Sequence, residues 1–149
     1  FGSADLADNI VGWDWFSLQL NDSTELMWYS LRHADGSPDP ASGGTLILAD
    51  GQSRPLTFQA LTVEPLAHWT SQRSGARYPQ RWRLTAPSIG LHLDVVSQLA
   101  DQELDTAHST QVTYWEGAVS ATGQARGAPV TGNGYVEMTG YADRFRQKL

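Results

Sequence analysis

The stretch VGWDWFSLQLNDSTELMWYSLRH, residues 11–33, decides the fold, because two runs of alternating apolar residues flank a short polar segment. Alternation with a period of two is typical of a half-buried β-strand. The polar residues 21–24 are of the kinds that favour turns. This stretch therefore predicts a two-stranded antiparallel hairpin. Its apolar residues are Phe16, Leu18 and Leu20 in the first strand and Met27, Tyr29 and Leu31 in the second.

The register of this hairpin determines which side chains meet. A turn centred between residues 22 and 23 places Asp14 on the apolar face, diagonal from Tyr29 and His33. Trp13 then lies opposite Arg32 on the other face, which favours a cation–π contact. Because desolvation raises the pKa of a carboxyl group, Asp14 is a candidate acid. Alternatively, it lies at the strand end and is hydrated.

Length and composition exclude several classes of protein. A chain of 149 residues suits one domain. Its net charge of −6 and pI near 5.0 disfavour nucleic-acid binding, and we interpret the arginines at 73, 77, 81 and 83 as a solvated face. With no cysteine it has no disulfide, and no apolar run approaches the roughly 20 residues of a membrane span. Because the sequence starts at Phe1 without a signal peptide, we expect a fragment, a processed product or one domain of a longer protein.

The rest of the chain continues the β pattern. Strands are predicted at 45–49, 56–61, 62–70, 89–96, 111–122 and 134–142, and around Trp82 and Leu84. Loops are predicted at 34–44, 71–80 and 123–133, and the acidic segment 100–110 could hold a helical turn. About eight to ten short strands without a convincing amphipathic helix predict an antiparallel sandwich or barrel with up-and-down connectivity. Such a barrel can be packed solid or can hold one small ligand.

The remaining candidate site residues are a carboxylate and a set of aromatic side chains. Glu116 shares a strand face with Tyr114 and either points into the barrel as a functional group or is paired at its wall. Each tryptophan taken alone favours a core position, but together they favour an apolar cavity. The tryptophans are Trp13, Trp15, Trp28, Trp69, Trp82 and Trp115.

Several common sites are not indicated. The four histidines lack the spacing of a zinc site, so no metal is predicted. No G-x-S-x-G elbow of an α/β-hydrolase is present. The glycine-rich segment 123–133 lies between strands rather than between strand and helix, which disfavours a phosphate cradle.

Seven motifs occur together in order: GWDWFSLQL (12–20), ELMWYSLR (25–32), YPQRWRL (78–84), GLHLDV (90–95), DQEL (101–104), YWEGAV (114–119) and GYVEMTGYA (134–142). As a set they resemble the C-terminal lipocalin-like domain of the AttH and carotenoid 1,2-hydratase (hydroxyneurosporene synthase) family. The resemblance covers nearly the whole chain. It implies a lipocalin-like barrel that is the C-terminal half of a two-barrel protein, with an N-terminal sister domain as partner. It also implies an extracytoplasmic location.

The resemblance further implies a function. Members of the family hydrate an isoprenoid double bond without a redox cofactor, so the implied partner is a hydrophobic small molecule. Such chemistry needs an acid, a held water molecule and aromatic walls. Asp14 or Glu116 would give the proton, Tyr29 would position water, and Trp13, Trp15 or Trp28 would face the cation. The other candidate ligand-binding residues are His33, Trp69, Trp82, Tyr114 and Trp115.

Two alternatives to catalysis remain open at this point. The barrel could carry a lipid-like ligand without converting it, in association with an ABC-type transport system. It could also be packed solid and serve only as a structural support for its sister domain. A cavity that contains Asp14, Tyr29 and Glu116 would favour the enzyme, and an uncharged cavity would favour the carrier. A filled interior would remove both ligand functions from this half of the protein.

Overall fold

The computed structural model describes residues 9–106 and 112–142, and this part of the chain forms ten β-strands and two short 3-10 turns. The strands are β1 (Ile10–Leu20), β2 (Glu25–His33), β3 (Gly43–Ile47), β4 (Ser53–Leu56), β5 (Thr62–Thr70), β6 (Arg77–Ala86), β7 (Leu91–Ser97), β8 (Glu103–Asp105), β9 (Thr113–Ala125) and β10 (Ala128–Thr139). The 3-10 turns are Phe58–Ala60 and Pro87–Ile89.

All ten strands belong to one antiparallel sheet. Its order is β4-β3-β2-β1-β10-β9-β7-β6-β5, and the short β8 pairs with the start of β9. Most strands that follow one another in sequence are also neighbours, and β1 pairs with β10. The predicted all-β, antiparallel, up-and-down architecture with little helix is therefore confirmed.

The inner face of the sheet carries the hydrophobic core, which contains several large aromatic side chains. Trp82 and Trp115 are fully buried, and Trp28 is only 2% exposed. Phe16 packs edge-on against Trp82, with ring centres 5.5 Å apart and an interplanar angle of 88°. Edge-to-face pairs of this kind are a favoured aromatic geometry. The core is thus built from large rings in contact with one another.

The opening hairpin forms as predicted, but its register differs by one residue. The turn is a three-residue loop, 21–23, in which Ser23 adopts a left-handed conformation with φ 66°. Leu18 therefore pairs with Leu26, and not with Met27. Because a slip of one residue turns every side chain of a strand to the other face, Leu26 and Trp28 are buried. The predicted apolar face of Met27, Tyr29 and Leu31 is the outer face.

The glycine-rich segment 123–133 is not the predicted loop. It holds the end of β9, a tight turn at Arg126 and Gly127, and the first half of β10. At Gly123 and Gly134 a Cβ would collide with the backbone of the neighbouring strand, at His92 and Ser17 respectively. These two glycines allow neighbouring strands to approach closely. From composition alone, a glycine in this role looks the same as a glycine in a flexible loop.

Several other elements begin or end at residues that differ from the predicted ones. The run 56–61 contains a 3-10 turn rather than a strand, and β6 begins at Arg77 inside the predicted loop 71–80. Ile89 ends a 3-10 turn before β7. Within the acidic segment 100–110 the described residues form the strand β8, not a helical turn, and residues 107–110 lie outside the described ranges. The strand Thr62–Thr70 has the predicted bounds.

Candidate functional site

Strand β1 places two tryptophans on the outer surface of the sheet. Its even-numbered residues are buried, whereas Trp13 and Trp15 are half-buried on the opposite face. Trp15 lies between Tyr29 of β2 and Glu137 of β10 in the register of the three strands. The alternation of the strand therefore brings aromatic rings from two adjacent strands to one patch.

These side chains line a concave site, which we call the outer aromatic pocket. It has a volume of about 280 Å³ and is formed by Trp13, Trp15, Tyr29, Leu31 and Glu137. The Trp13 Nε1–H donates a hydrogen bond of 3.0 Å to Glu137 Oε1. This bond fixes one carboxylate against an aromatic wall.

One side of the outer aromatic pocket is acidic. Glu116 of β9 lies directly across from Glu137 of β10. Burial, followed by the negative charges of Glu116 and Glu137, raises the pKa of the Tyr114 hydroxyl. Tyr114 is therefore a protonated hydrogen-bond donor at neutral pH. Two opposed carboxylates next to aromatic rings are an arrangement that can move a proton.

A buried ion pair lies on the inner face beneath this pocket. Arg32 Nη1 is 2.8 Å from Asp14 Oδ1, and both side chains are close to 90% buried, at 11% and 12% exposure. The Tyr141 hydroxyl donates to Asp14 Oδ2 over 3.0 Å, and the Arg32 guanidinium lies 3.8 Å from the centre of the Tyr141 ring. Asp14 thus has partners on both carboxylate oxygens.

The pKa values of this inner cluster are displaced by burial. Burial raises the pKa of the Asp14 carboxyl, although the charge of Arg32 and the hydrogen bonds from Tyr141 and Arg32 oppose it. Burial and the neighbouring Asp14 raise the pKa of Tyr141 well above its ordinary value. The Tyr141 hydroxyl therefore remains a donor over the physiological range of pH.

Thr139 connects the inner cluster to the outer aromatic pocket. Arg32 Nη2 donates to the Thr139 carbonyl over 2.6 Å on one side. On the other side, the Thr139 hydroxyl accepts the backbone N–H of Trp13 over 3.1 Å. The inner ion pair consequently helps to hold the strand segment that carries Trp13.

A second buried carboxylate, Glu103, is enclosed by hydroxyl groups. It accepts hydrogen bonds from Ser71 (2.6 Å), Ser74 (2.5 Å) and Tyr78 (2.8 Å). Burial alone would raise its pKa, but these bonds and the charge of Arg73 outweigh burial and lower the pKa. A carboxylate with so many donors is a structural group that stays ionised.

Across residues 9–106 and 112–142 no three His, Cys, Asp or Glu side chains cluster as a metal site would require. In the same ranges no helix has the length and apolar character needed to cross a membrane.

Comparison with models of protein families shows to which family this chain belongs. The family model described as AttH-like matches residues 1–141. The chain belongs to the AttH-like family. The motif resemblance is therefore confirmed for AttH, and this domain has the lipocalin-like fold of the family. No curated protein sequence matches the chain significantly.

Two solved structures are similar to this AttH-like domain. The first is an AttH-assigned protein from Nitrosomonas europaea, with 36% identity and a TM-score of 0.79 over 92% of this chain and 41% of that one. The second is kievitone hydratase from Nectria haematococca, with 23% identity and a TM-score of 0.72 over 90% of this chain and 40% of that one. The AttH-like domain thus spans about two fifths of the length of these structures.

The domain brings together some of the predicted site residues and separates others. Trp13, Trp15 and Tyr29 line one pocket, whereas Glu116 does not line it and is paired across the sheet with the lining residue Glu137. Asp14 faces the core, on the opposite side of the sheet from Tyr29. The predicted proximity of Asp14 to Tyr29 is therefore wrong, because it depended on the register that Ser23 shifts.

Other predicted contacts of the hairpin also differ. Trp13 lies opposite Leu31, so the predicted cation–π contact of Trp13 with Arg32 is absent, and Arg32 covers Tyr141 instead. His33 Nε2 lies 3.1 Å from Asp39 Oδ2.

The remaining predicted ligand-binding aromatics fall into two groups. Trp28, Trp82 and Trp115 are core side chains with 2% exposure or less, so they support the fold. Trp69 is half-buried and stacks on Tyr78 with ring centres 6.2 Å apart. Tyr114 lies on the outer face of β9 beside Glu116. Among the predicted tryptophans, only Trp13 and Trp15 line the outer aromatic pocket.

Sequence reasoning missed two residues of these clusters. Glu137 alternates with the buried Val136 and Met138, so its outward orientation was readable, but its pairing with Trp13 depends on the order of the strands. Tyr141 belongs by alternation to the outer face with Tyr135. It faces inward because Gly140, with φ 78°, ends the strand alternation.

Proposed function

We propose that this AttH-like domain binds a hydrophobic, unsaturated small molecule, isoprenoid- or lipid-like, in the outer aromatic pocket. We propose further that, within a longer protein, the bound molecule is hydrated without a redox cofactor. Both statements rest on the pocket that Trp13, Trp15 and Tyr29 form with Glu137, whose partner on the neighbouring strand is Glu116.

The walls of the pocket suit such a ligand. Tryptophan and tyrosine rings offer large apolar faces, and those faces also attract a developing positive charge. The volume of about 280 Å³ falls just below the usual range of ligand pockets, so one isoprenoid end group would fit while the rest of the chain extends outward. The aromatic lining favours an apolar chain over a sugar.

The carboxylates can serve the two proton transfers of hydration. Glu116 gives its proton to one alkene carbon, which leaves a carbocation at the other carbon beside the rings of Trp13 and Trp15. A water molecule held by Tyr29 and Glu137 adds its oxygen to that cation, and its surplus proton goes to Glu137. The proton returns to Glu116 across the β9–β10 pair. The sum is the addition of one water to one double bond.

Asp14 has a positioning role in this proposal. It faces the core and holds Arg32, which in turn binds the carbonyl of Thr139. Thr139 holds Trp13 through its hydroxyl group. Asp14 therefore acts through the backbone that carries the aromatic wall.

A sister lipocalin-like domain would complete the site. The two similar structures are more than twice as long as this chain, and an open pocket on the surface of a sheet does not exclude water by itself. We propose that the sister domain covers the outer aromatic pocket. Exclusion of water strengthens the electrostatic interactions on which a carbocation depends.

A second candidate function follows from the burial of large rings in the core. Trp28, Trp82 and Trp115 support a rigid domain, and the outer aromatic face could then serve only as the support for its sister domain. This function predicts that no small molecule binds at the outer face. It is separated from the first by the binding experiment below.

Binding is tested on the chain itself with farnesol as probe. We expect the indole N–H signals of Trp13 and Trp15 in an NMR titration to shift, and the variant Trp15→Ala to weaken binding about tenfold, since one aromatic contact is lost. Trp69→Phe, a half-buried residue outside the pocket, is the control. Unshifted Trp13 and Trp15 signals would remove the ligand-binding proposal and leave the support function.

Turnover is tested on a longer protein that includes the sister domain. A polyene probe incubated in isotopically labelled water should gain one labelled hydroxyl group. We expect Glu116→Gln and Glu137→Gln each to lower the rate at least about 100-fold, the usual contribution of acid–base groups. Glu64→Gln, on the exposed strand β5, is the matched control. A probe that binds and is recovered unchanged would make the protein a carrier.

A further inference from the structure

A second pocket lies at the end of the barrel, and it shares no residue with the outer aromatic pocket. It forms where the β1–β2, β3–β4, β6–β7 and β9–β10 connections meet, and its volume is about 270 Å³. We call it the barrel-end pocket. Its ligand would not depend on the function proposed for the outer face.

The floor of the barrel-end pocket is apolar. Leu46 and Leu91 are buried at 8% and 3% exposure and belong to the core. Leu48 and Ile89 are partly buried and pack against the same core. These four side chains offer a hydrophobic surface that continues the interior of the domain to its end.

The rim of the barrel-end pocket carries two arginines without an ionic partner. Arg54 of β4 and Arg126 of the β9–β10 turn are both exposed. Within the described part of the chain, neither forms an ion pair, whereas Arg32, Arg73, Arg81 and Arg83 each do. In a chain with a net charge of −6, two unpaired guanidinium groups at one site are a local exception.

One carboxylate also faces this pocket. Asp22 Oδ1 accepts two hydrogen bonds from Thr24, of 3.0 Å to the backbone N–H and 2.6 Å to the hydroxyl. Asp22 is thus held within its own turn. Two guanidinium groups and one carboxylate leave a net charge of +1 on the lining, which matches a ligand with a single negative charge.

The backbone holds Arg126 at the rim. Arg126 has φ 50° and precedes Gly127 with φ 78°, so it occupies a hairpin position where Asn, Asp or Gly is usual. Its N–H donates to the carbonyl of Gly90 over 2.9 Å. A Cβ on Gly90 would lie 3.2 Å from the Arg126 Cα, so the two turns are in close contact. Arg126 is therefore held in a left-handed backbone conformation that arginine rarely adopts.

We propose that the barrel-end pocket binds a free single-chain fatty acid of medium length. The carboxylate lies between Arg54 and Arg126, where guanidinium groups give strong charge-assisted hydrogen bonds. The alkyl chain lies on Leu46, Leu48, Ile89 and Leu91. A volume of about 270 Å³ restricts the ligand to a short or medium chain, since it falls just below the usual range of ligand pockets.

The proposal is tested by calorimetric and NMR titration of the chain with monomeric decanoate. We expect Arg54→Gln and Arg126→Gln each to weaken binding about tenfold, the loss of one charge-assisted bond, and the double variant to abolish it. Decanol should bind more weakly than decanoate and be insensitive to both changes. Arg77→Gln removes an exposed arginine elsewhere, on β6, and should bind decanoate like the parent chain.

The location of the ligand is tested separately. Decanoate should shift the methyl signals of Leu48 and Ile89 and leave the indole signals of Trp13 and Trp15 unchanged. Ser88→Trp, which places a ring in the pocket from an exposed position, should block binding. Equal affinity of the parent and the Arg54→Gln/Arg126→Gln variant would overturn the proposal. So would binding only to vesicles of anionic lipid, or decanoate shifts confined to the outer aromatic pocket.

Discussion

Asp14 and Arg32 form a buried ion pair in the opening hairpin. Each is almost fully buried, and the pair is completed by the Tyr141 hydroxyl and the Thr139 carbonyl. Removal of one member of a buried pair leaves an uncompensated charge, whereas replacement of both members by apolar residues is often tolerated. We therefore expect the losses of stability caused by mutating these two residues to be strongly coupled.

We expect Asp14→Asn to lower the free energy of unfolding by about 3 kcal/mol, because Arg32 keeps its charge and loses its counter-ion. Arg32→Met should cost a similar amount. The double variant should cost clearly less than the sum of the two, as urea denaturation of all four proteins would measure. Additive losses would show that the two side chains do not act as a pair.

One buried carboxylate, Glu103, links the short strand β8 to the β5–β6 connection and to β6. Glu103 is almost fully buried, with 1% side-chain exposure, and joins β8 to the β5–β6 connection and to Tyr78 of β6. Arg73 adds a bond of 2.9 Å to the Glu103 carbonyl. Because β8 is only three residues long and pairs only with β9, these contacts are a main part of its attachment.

The lowered pKa of Glu103 predicts an acid-labile contribution to stability. The folded state binds this proton less readily than the unfolded chain, so the contribution is complete above the ordinary pKa of 4.5 and is lost as the pH falls through the lower folded-state value. Asp14 has the opposite sign, because its raised pKa favours the folded state at low pH.

We therefore expect Glu103→Gln to be less stable than the parent at neutral pH and to lose less stability on acidification. Thermal unfolding at a series of pH values would measure the difference. Glu64→Gln, which removes an exposed carboxylate of β5, should follow the parent curve. A Glu103→Gln curve parallel to that of the parent would contradict the assignment.

The domain as a whole separates its tryptophans into two populations. Trp28, Trp82 and Trp115 form part of the core, whereas Trp13, Trp15 and Trp69 are half-buried. The sheet is thus aromatic on both faces near β1. An apolar outer face of this kind is typical of a binding surface.

We expect acrylamide to quench the fluorescence of this chain in two classes. The double variant Trp13→Phe/Trp15→Phe should lose most of the accessible class and remain folded, because both residues lie outside the core. Trp69→Phe should lose a smaller share. In a protein that includes a sister domain over the outer aromatic pocket, the accessible class should shrink. Uniform quenching of all tryptophans would contradict the two-sided arrangement.

The amino-acid sequence by itself determined the architecture and the family. Alternation along residues 11–33 and the spacing of the turns predicted an antiparallel sandwich or barrel, and the resemblance of the ordered motifs to the AttH family implied a lipocalin-like barrel. The strand pattern follows from local chemistry, since a period of two and a turn composition are properties of neighbouring residues. Trp13, Trp15 and Tyr29 were predicted as site residues from their motifs, but Tyr29 was expected on the apolar face with Asp14, and it lies on the outer face instead.

Only the tertiary structure decided which of those residues face one another. Ser23 in a left-handed conformation moved the hairpin register by one residue, which placed Tyr29 outside and Asp14 inside. Gly140 turned Tyr141 inward, and the pairing of β10 with β1 and β9 brought Glu137 to Trp13 and Glu116. The dihedral angles of single turn residues and the order of distant strands are set by packing of the whole sheet, which local alternation does not record.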